Sequence, residues 1–368
     1  MILTHPPVEE TNDRRLLYRF QGRTRAFGAI GLLLFVAACA SHDTPRSSNP
    51  PTARRQPSPH PFPDAPRRGP HSGGDDTRIA IQLEGGRIAQ LPLDDYVRGT
   101  VSAEMWVPAT EDPAVAERIF EVQALVARTY AVANLGRHAA EGFDLCSTTH
   151  CQLFRDQSFR ASSQARWADA LDQAIDRTRG QVILFDETPI LALFHANCGG
   201  ATSAAQAIWG GTPRPYLVSV IDGDQCARAP GASWRTPLDR AAVTRALDAD
   251  PRTVVRGRLD SIDIVQSDPA GRALLVGLTG ARSPVVRGEE LRLVLVRAFG
   301  PRSVRSPRFT VQREGDRFVF TGTGIGHGAG LCQFGAMTRL RAGASPADVI
   351  AFYYPGTTIG RWQAPRRT

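Results

Sequence analysis

A chain of 368 residues with 42% hydrophobic and 22% charged residues has apolar material for a substantial core, and is neither disordered throughout nor collagen-like. All 44 basic residues are arginine, which excludes a Schiff-base lysine, a P-loop lysine and a Ser-Lys dyad. The net charge of +8 is spread along the chain without a basic run interleaved with aromatics, so nucleic-acid binding is not expected.

Arg14, Arg15, Arg19, Arg23 and Arg25 precede an uncharged stretch from Ala26 to Ala38, about half the length needed to span a bilayer as a helix. This is the pattern of a signal peptide, residues 1–39, ending in Val36-Ala37-Ala38-Cys39. Small residues directly before Cys39 resemble the lipobox of bacterial lipoproteins, so Cys39 is the expected lipidation site. An ordinary secretory signal cut near Ala40 and a short membrane anchor are the alternatives, and each places the mature protein outside the cytoplasm. A lipid on Cys39 would anchor it to a membrane on the periplasmic face.

Residues 40–77 are rich in Ser, Pro, Arg and His and almost free of large apolar side chains, too few to offset the entropy of ordering. The segment is expected to be a disordered tether. At about 3 Å per residue it could reach up to roughly 100 Å.

The folded part is expected over 78–368. Alternation over Arg78–Leu83 and Arg87–Leu93, with Gly85-Gly86 between, predicts a hairpin. Apolar residues at three- and four-residue spacing from Pro113 to about Asn134 predict an amphipathic helix of six turns, and Ser162–Thr178 a second helix. Val182–Phe185 and Pro189–Phe194 read as buried strands. Arg240–Leu247 reads as a helix, Leu259–Val265 with Ala273–Leu278 as a strand pair, and Pro307–Thr321 as a hairpin turning at Glu314-Gly315-Asp316. Strands and helices mix without strict alternation, so the fold class is α+β rather than a doubly wound sheet.

Several constellations could carry chemistry. Glu104 closes an apolar segment beside Met105 and Trp106, where burial would raise its pKa toward that of a general acid; it could equally begin a helix or pair with Arg128. Gln123, Arg128 and Tyr130 sit on a helix otherwise lined by alanine, which permits close approach of a ligand or another element. Cys146, His150 and Cys151, with His138, offer thiolate and imidazole donors of the kind zinc prefers. A Cys146–Cys151 disulfide is the alternative, and the adjacency of His150 and Cys151 works against both reaching one ion. Cys198 and Cys226 could form a disulfide worth about 3 kcal/mol, leaving Cys332 without an assigned partner. His195 with Gly199 and Gly200, and His327 among alternating glycines ahead of Gln333, suggest the floor of a polymer cleft. The Gly324-x-Gly326 pattern is not a dinucleotide fingerprint, because no acid follows at the required distance.

Taken in this order, the blocks Tyr96-Val97-x-Gly99…Glu104-Met105, Gln123-Ala124…Ala127-Arg128-Thr129-Tyr130, Cys146…Thr149-His150-Cys151-Gln152, His195…Gly199-Gly200 and Gly326-His327-Gly328…Gln333-x-Gly335-Ala336, followed by Tyr353-Tyr354-Pro355-Gly356-Thr357, resemble the stage II sporulation protein D family, also called the amidase-enhancer family. The resemblance runs from about Leu91 to Gly360. It implies a peptidoglycan lytic transglycosylase with Glu104 as the catalytic glutamate, Arg128 as a functionally required arginine, and a zinc-binding region at Cys146/Cys151. Gln123, Tyr130, His195, Gly199, Gly200, His327 and Gln333 are expected along the substrate cleft, and a cell-wall amidase is an expected partner. The sequence departs from the family pattern in an insertion around Val107–Pro113, in Cys198 and Cys332 where serine is common, and in Glu121 where lysine is frequent. A non-catalytic wall-binding enhancer of an amidase and a zinc hydrolase using Cys146, Cys151 and a histidine are the rival readings.

Overall fold

A computed structural model describes residues 77–155, 159 and 162–362. The expected signal peptide, Cys39 and all of the expected tether but Thr77 lie outside them. Among the described residues nine α-helices and fourteen short strands form an α+β arrangement of small sheets.

The opening hairpin forms as its alternation predicts: Arg78–Gln82 pairs antiparallel with Ile88–Pro92, and Gly85 and Gly86 turn the chain with φ of 83° and 84°. The second strand then runs into helix α1, Leu93–Glu104, which the sequence did not reveal as a helix. Its content of Val97, Gly99, Thr100 and Val101 carries little intrinsic helix propensity, so packing supplies the stability. Tyr96, Val97 and Val101 are fully buried in the main core.

Helix α2, Pro113–Ala133, starts on proline, and Asp112 caps it by accepting a hydrogen bond from the Val115 amide at 3.0 Å. Sixteen of its residues are buried, so it is the central element of the main core rather than a surface helix with one wet face. Helix α3, Ala168–Arg177, is shorter than expected because the chain from Ala165 to Trp167 makes a tighter 3-10 turn first. Arg177 holds α3 to α2 by pairing with Glu117 and, at 2.7 Å, with Glu121. Glu121, where the family pattern often has lysine, thus has a partner that a lysine could not pair with.

Gln181–Phe185 pairs with Thr358–Arg361 near the end of the described chain. The strand expected over Pro189–Phe194 is broken: Thr188–Pro189 and Phe194–His195 are strands, and the buried residues between them are not. Phe194–His195 instead runs parallel to Leu331–Cys332, bringing residues 137 positions apart into register at Leu331↔Phe194 and Cys332↔His195.

A second hydrophobic core, including Trp234, Leu238, Val276, Leu295, Phe318 and Phe320, is built by the chain from about 234 to 320. It contains the expected helix at Arg240–Asp248, the expected strand pair Ser261–Ser267 with Ala273–Thr279, the hairpin Phe309–Glu314 with Arg317–Thr323, and a helix at Gly288–Phe299 that the sequence did not reveal. No helix among the described residues is long and apolar enough to cross a membrane.

Candidate active site

Glu104 is the last residue of α1. Its carboxylate accepts a hydrogen bond from the Leu153 amide at 2.7 Å, while its main-chain carbonyl accepts one from Gln333 Nε2 at 3.3 Å. Burial pushes the carboxyl from its ordinary 4.5 up to about 7, against the smaller, opposing effect of the Leu153 hydrogen bond. Among the described residues neither group bonded to Glu104 is acidic. Met105 packs into the core beside it, whereas Trp106, the next residue, is 63% exposed.

The Leu153 amide reaches Glu104 because of Gly99. A side chain there would run into the Phe154 ring and the Arg155 carbonyl, so only glycine lets the Gln152–Arg155 segment lie against α1. The segment is held by Phe154 stacking on Tyr96, with ring centroids 5.7 Å apart, and by the Tyr96 hydroxyl donating to Gln152 Oε1 at 3.0 Å. Gln152 is a supporting residue that the sequence reading quoted but did not assign.

From α2, Gln123 is fully buried and accepts a hydrogen bond from Gln333 Nε2 at 3.3 Å; its own Nε2 has no protein partner. The pairing of Leu331–Cys332 with Phe194–His195 sets Gln333 next to the His195 strand. His195 Nδ1 lies 3.1 Å from the Ala329 carbonyl and its buried Nε2 is unpartnered. Its ring is 5.6 Å from that of His327, which is 5.1 Å from Trp209. Burial, followed by the nearby His195, drives the His327 pKa well below its ordinary value, so that imidazole is neutral at pH 7. Glu104, Gln123 and Gln333 are therefore brought together, with His195 joined to them through the short parallel pair.

Three expected assignments change. Arg128 neither orients nor pairs with Glu104: its guanidinium, 1% exposed, donates to Asp94, to the carbonyl and hydroxyl of Thr178, and to the Gln181 carbonyl. Asp94 is ten residues before Glu104, about 15 Å along α1, so Arg128 ties the far end of α1 to the Thr178–Gln181 turn. The space around Gly199 and Gly200 is taken by Arg308 and neighbouring backbone rather than open to a ligand. Both have positive φ, Gly199 packs so tightly on Arg308, Thr323 and Gly324 that a Cβ has no room, and its carbonyl accepts from Arg308. Cys198 and Cys226 are thiols rather than a disulfide, each donating to Asp222 Oδ2 at 3.3 Å. Cys332, at 3.9 Å from Cys226, completes a trio in which no two of the cysteines are set apart as a pair.

Tyr130 lies on the side of α2 facing the other cysteines, where its hydroxyl accepts from Arg137 at 3.3 Å; burial raises its pKa above the ordinary phenol value. There His138, Cys146, His150 and Cys151 converge with their donor atoms all within 4.8 Å of one another. Cys146 Sγ is 3.6 Å from His150 Nδ1, and Cys151 Sγ is 3.4 Å from His138 Nε2 and 3.6 Å from His150 Nδ1. Neighbouring ligands on a tetrahedral zinc are separated by about 3.4–3.8 Å, given bonds of about 2.0–2.3 Å. The adjacent His150 and Cys151 thus can face one point after all. His138 presents its other nitrogen to Glu141 at 2.6 Å, as ligating histidines commonly do. Hydrogen bonding from Cys151 lowers the Cys146 thiol pKa, and the same interaction raises that of Cys151. The four donors fit a closed zinc site.

A shallow depression on the second core is lined by Trp234, Arg308, Phe309 and Thr321, among others, and Glu104 is not part of its lining.

Known proteins share sequence with the chain over this region. Residues 84–185 match the family description "Stage II sporulation protein", a span that holds Glu104 and all four converging Cys and His donors. The stage II sporulation protein D of Bacillus subtilis (strain 168) is 26% identical over 292 residues, covering 75% of this chain and 77% of that protein. An uncharacterized protein of Brachyspira hyodysenteriae (strain ATCC 49526 / WA1) is 28% identical over 273 residues, 74% of this chain and 67% of the relative. The amidase enhancer of Bacillus subtilis (strain 168) is 24% identical over 286 residues, 65% of this chain but 37% of that longer protein. The chain is thus similar to the stage II sporulation protein D and amidase-enhancer family.

Proposed function

We propose that this chain is a cell-wall lytic transglycosylase that cleaves the bond between N-acetylmuramic acid and N-acetylglucosamine in peptidoglycan glycan strands. The observation that carries this reading is a single carboxyl group, Glu104, held by the Leu153 amide and raised by burial to about 7. Hydrolysis of a glycoside typically needs two carboxylates, one of them to activate water or attack the sugar. The reaction proposed here needs one. Protonated Glu104 gives its proton to the glycosidic oxygen as the bond to the muramyl C1 breaks. The resulting carboxylate then removes the proton of the C6 hydroxyl, whose oxygen closes on C1 to give the 1,6-anhydro ring, and Glu104 ends protonated as it began.

Gln333 holds the end of α1 in place, and Trp106, exposed and two residues beyond the acid, offers an aromatic face to the glycan. His138, Cys146, His150 and Cys151 would hold zinc, which would supply a structural crosslink. Four protein ligands leave no position for a water molecule, which argues against the zinc-hydrolase reading. Residues 1–39 act as a signal peptide ending in Cys39, the residue that would receive the lipid, and residues 40–77 as a tether that lets the catalytic domain, 78–368, reach the wall from the membrane.

A second reading, a non-catalytic enhancer that binds peptidoglycan and activates an amidase, is favoured by the similarity to the amidase enhancer. Mass spectrometry of the soluble products from isolated sacculi, with and without stem peptides, separates the two. Anhydro-muramyl ends that vanish in Glu104→Gln support the transglycosylase. Sacculi bound but left intact by the wild-type chain overturn it in favour of the enhancer, and reducing ends mean hydrolysis.

A further inference from the structure

The second group of cysteines calls for its own explanation. Cys198 follows the His195 strand, Asp222 lies in the segment that returns to it, Cys226 sits on the short helix Asp224–Ala227, and Cys332 is the N-cap of the helix Gln333–Arg341. All four are 3% exposed or less, and their Sγ and carboxylate donor atoms lie within 4.8 Å of one another. Cys226 and Cys332 Sγ are 3.9 Å apart, and Cys198 and Cys226 Sγ are each 3.3 Å from Asp222 Oδ2, close to the edges of a tetrahedron of zinc ligands.

The surroundings are arranged for thiolate sulfur rather than for apolar packing. Cys332 Sγ accepts from the amides of Cys198 at 3.2 Å and Gly335 at 3.4 Å, the second from the first turn of its own helix, where the backbone dipole favours negative charge. Cys198 Sγ accepts from the Gly200 amide at 3.3 Å. The carboxylate of Asp222 is aimed by the Tyr353 hydroxyl at 2.7 Å and by Arg339 at 3.1 Å, the kind of outer support that orients metal ligands. Gly335 permits this, because a Cβ there would strike both Asp222 and the Tyr353 hydroxyl. Three thiolates and a carboxylate around a divalent cation leave two negative charges. Two guanidiniums answer them: Arg339 on Asp222, and Arg272, 1% exposed and bonded to the Cys198 carbonyl at 2.6 Å.

We propose that Cys198, Asp222, Cys226 and Cys332 form a second zinc site, closed and structural, distinct from the one at His138, Cys146, His150 and Cys151. It ties together three segments that meet nowhere in sequence. One of them begins with Gln333, which bonds the Glu104 carbonyl and Gln123, so the ion fixes the element that supports the acid. The site stands independently of the reaction assigned to Glu104.

The test is zinc stoichiometry of the full chain by inductively coupled plasma mass spectrometry, together with X-ray absorption at the zinc edge. Wild type is expected to hold two zinc ions per chain. The double variant Cys146→Ser/Cys151→Ser should hold one, with three sulfur ligands, and Cys332→Ser one, with two sulfur and two nitrogen ligands. Serine at 332 keeps an N-cap acceptor, and circular dichroism checks folding. A wild-type chain with one zinc, lost in the double variant, overturns the proposal whatever the other variants do. Peptide mapping that finds a disulfide among Cys198, Cys226 and Cys332 overturns it equally.

Discussion

At position 104 burial and one amide hydrogen bond act in opposite senses on a carboxyl group, and burial wins. The consequence for rate is a requirement for the protonated form, so activity on glycan should be level below about pH 6 and fall tenfold per pH unit above about 7. Glu104→Gln should lower the release of anhydro ends by at least about 100-fold. The consequence for stability has its own sign. A carboxyl whose pKa rises from 4.5 unfolded to about 7 folded binds more protons in the native state across that window, so its burial costs stability progressively as pH climbs through it. Glu104→Gln should therefore be more stable than wild type at pH 8, by an amount on the order of 2 kcal/mol, and should lose that advantage below pH 4.5. Urea unfolding of both proteins at pH 4.5 and pH 8 measures this; equal differences at the two pH values would contradict the buried assignment.

At the scale of elements, α1 is pinned at both ends by different chemistry. Its last turn meets Leu153 and Gln333, and its first turn carries Asp94, which binds the buried Arg128 and also Arg179 at 3.2 Å. Removing one partner of such a pair leaves the other charge buried, so Arg128→Ala should cost about 3–5 kcal/mol in urea unfolding. Lysine cannot copy a guanidinium that bonds a carboxylate and two carbonyls at once, so Arg128→Lys should recover little. If Arg128 acts through the fold alone, the folded fraction of either variant should keep the wild-type pH profile, whereas a shifted profile would show it reaching the acid. The loop that carries His138 offers a separate check. Glu141→Gln weakens the carboxylate behind His138 and should lower zinc affinity by roughly 10–100-fold in a competition titration, without changing the number of ligands.

At the scale of the whole molecule, two hydrophobic cores must be held in register, and buried arginine does much of this. Arg272, on the strand hairpin of the second core, sends its guanidinium to the Ala201 and Cys198 carbonyls and the Ser203 hydroxyl of the main core. Gly328 makes room for it, since a Cβ there would overlap the guanidinium. Arg272→Met fills similar volume but strands those acceptors, at about 1–3 kcal/mol each. Limited proteolysis of that variant should cut between the cores before either core is digested, while simultaneous loss of both would mean that they unfold as one unit.

Helix α2, the opening hairpin and the strand pairs of the second core could be read in advance, because hydrophobic spacing and turn glycines are local properties of the sequence. Glu104 and the four Cys and His donors were likewise visible, since each is a reactive side chain next to its own punctuation. Helix α1 was not, because weak helix formers such as Val97, Gly99 and Thr100 became helical only under the packing that buries them. Nor could sequence show that Arg128 faces Asp94 rather than Glu104, or that Cys332 joins Cys198 and Cys226. Those contacts span 34 to 134 residues, and only the folding of α1 on α2 and the parallel pairing of Leu331–Cys332 with Phe194–His195 bring them within reach.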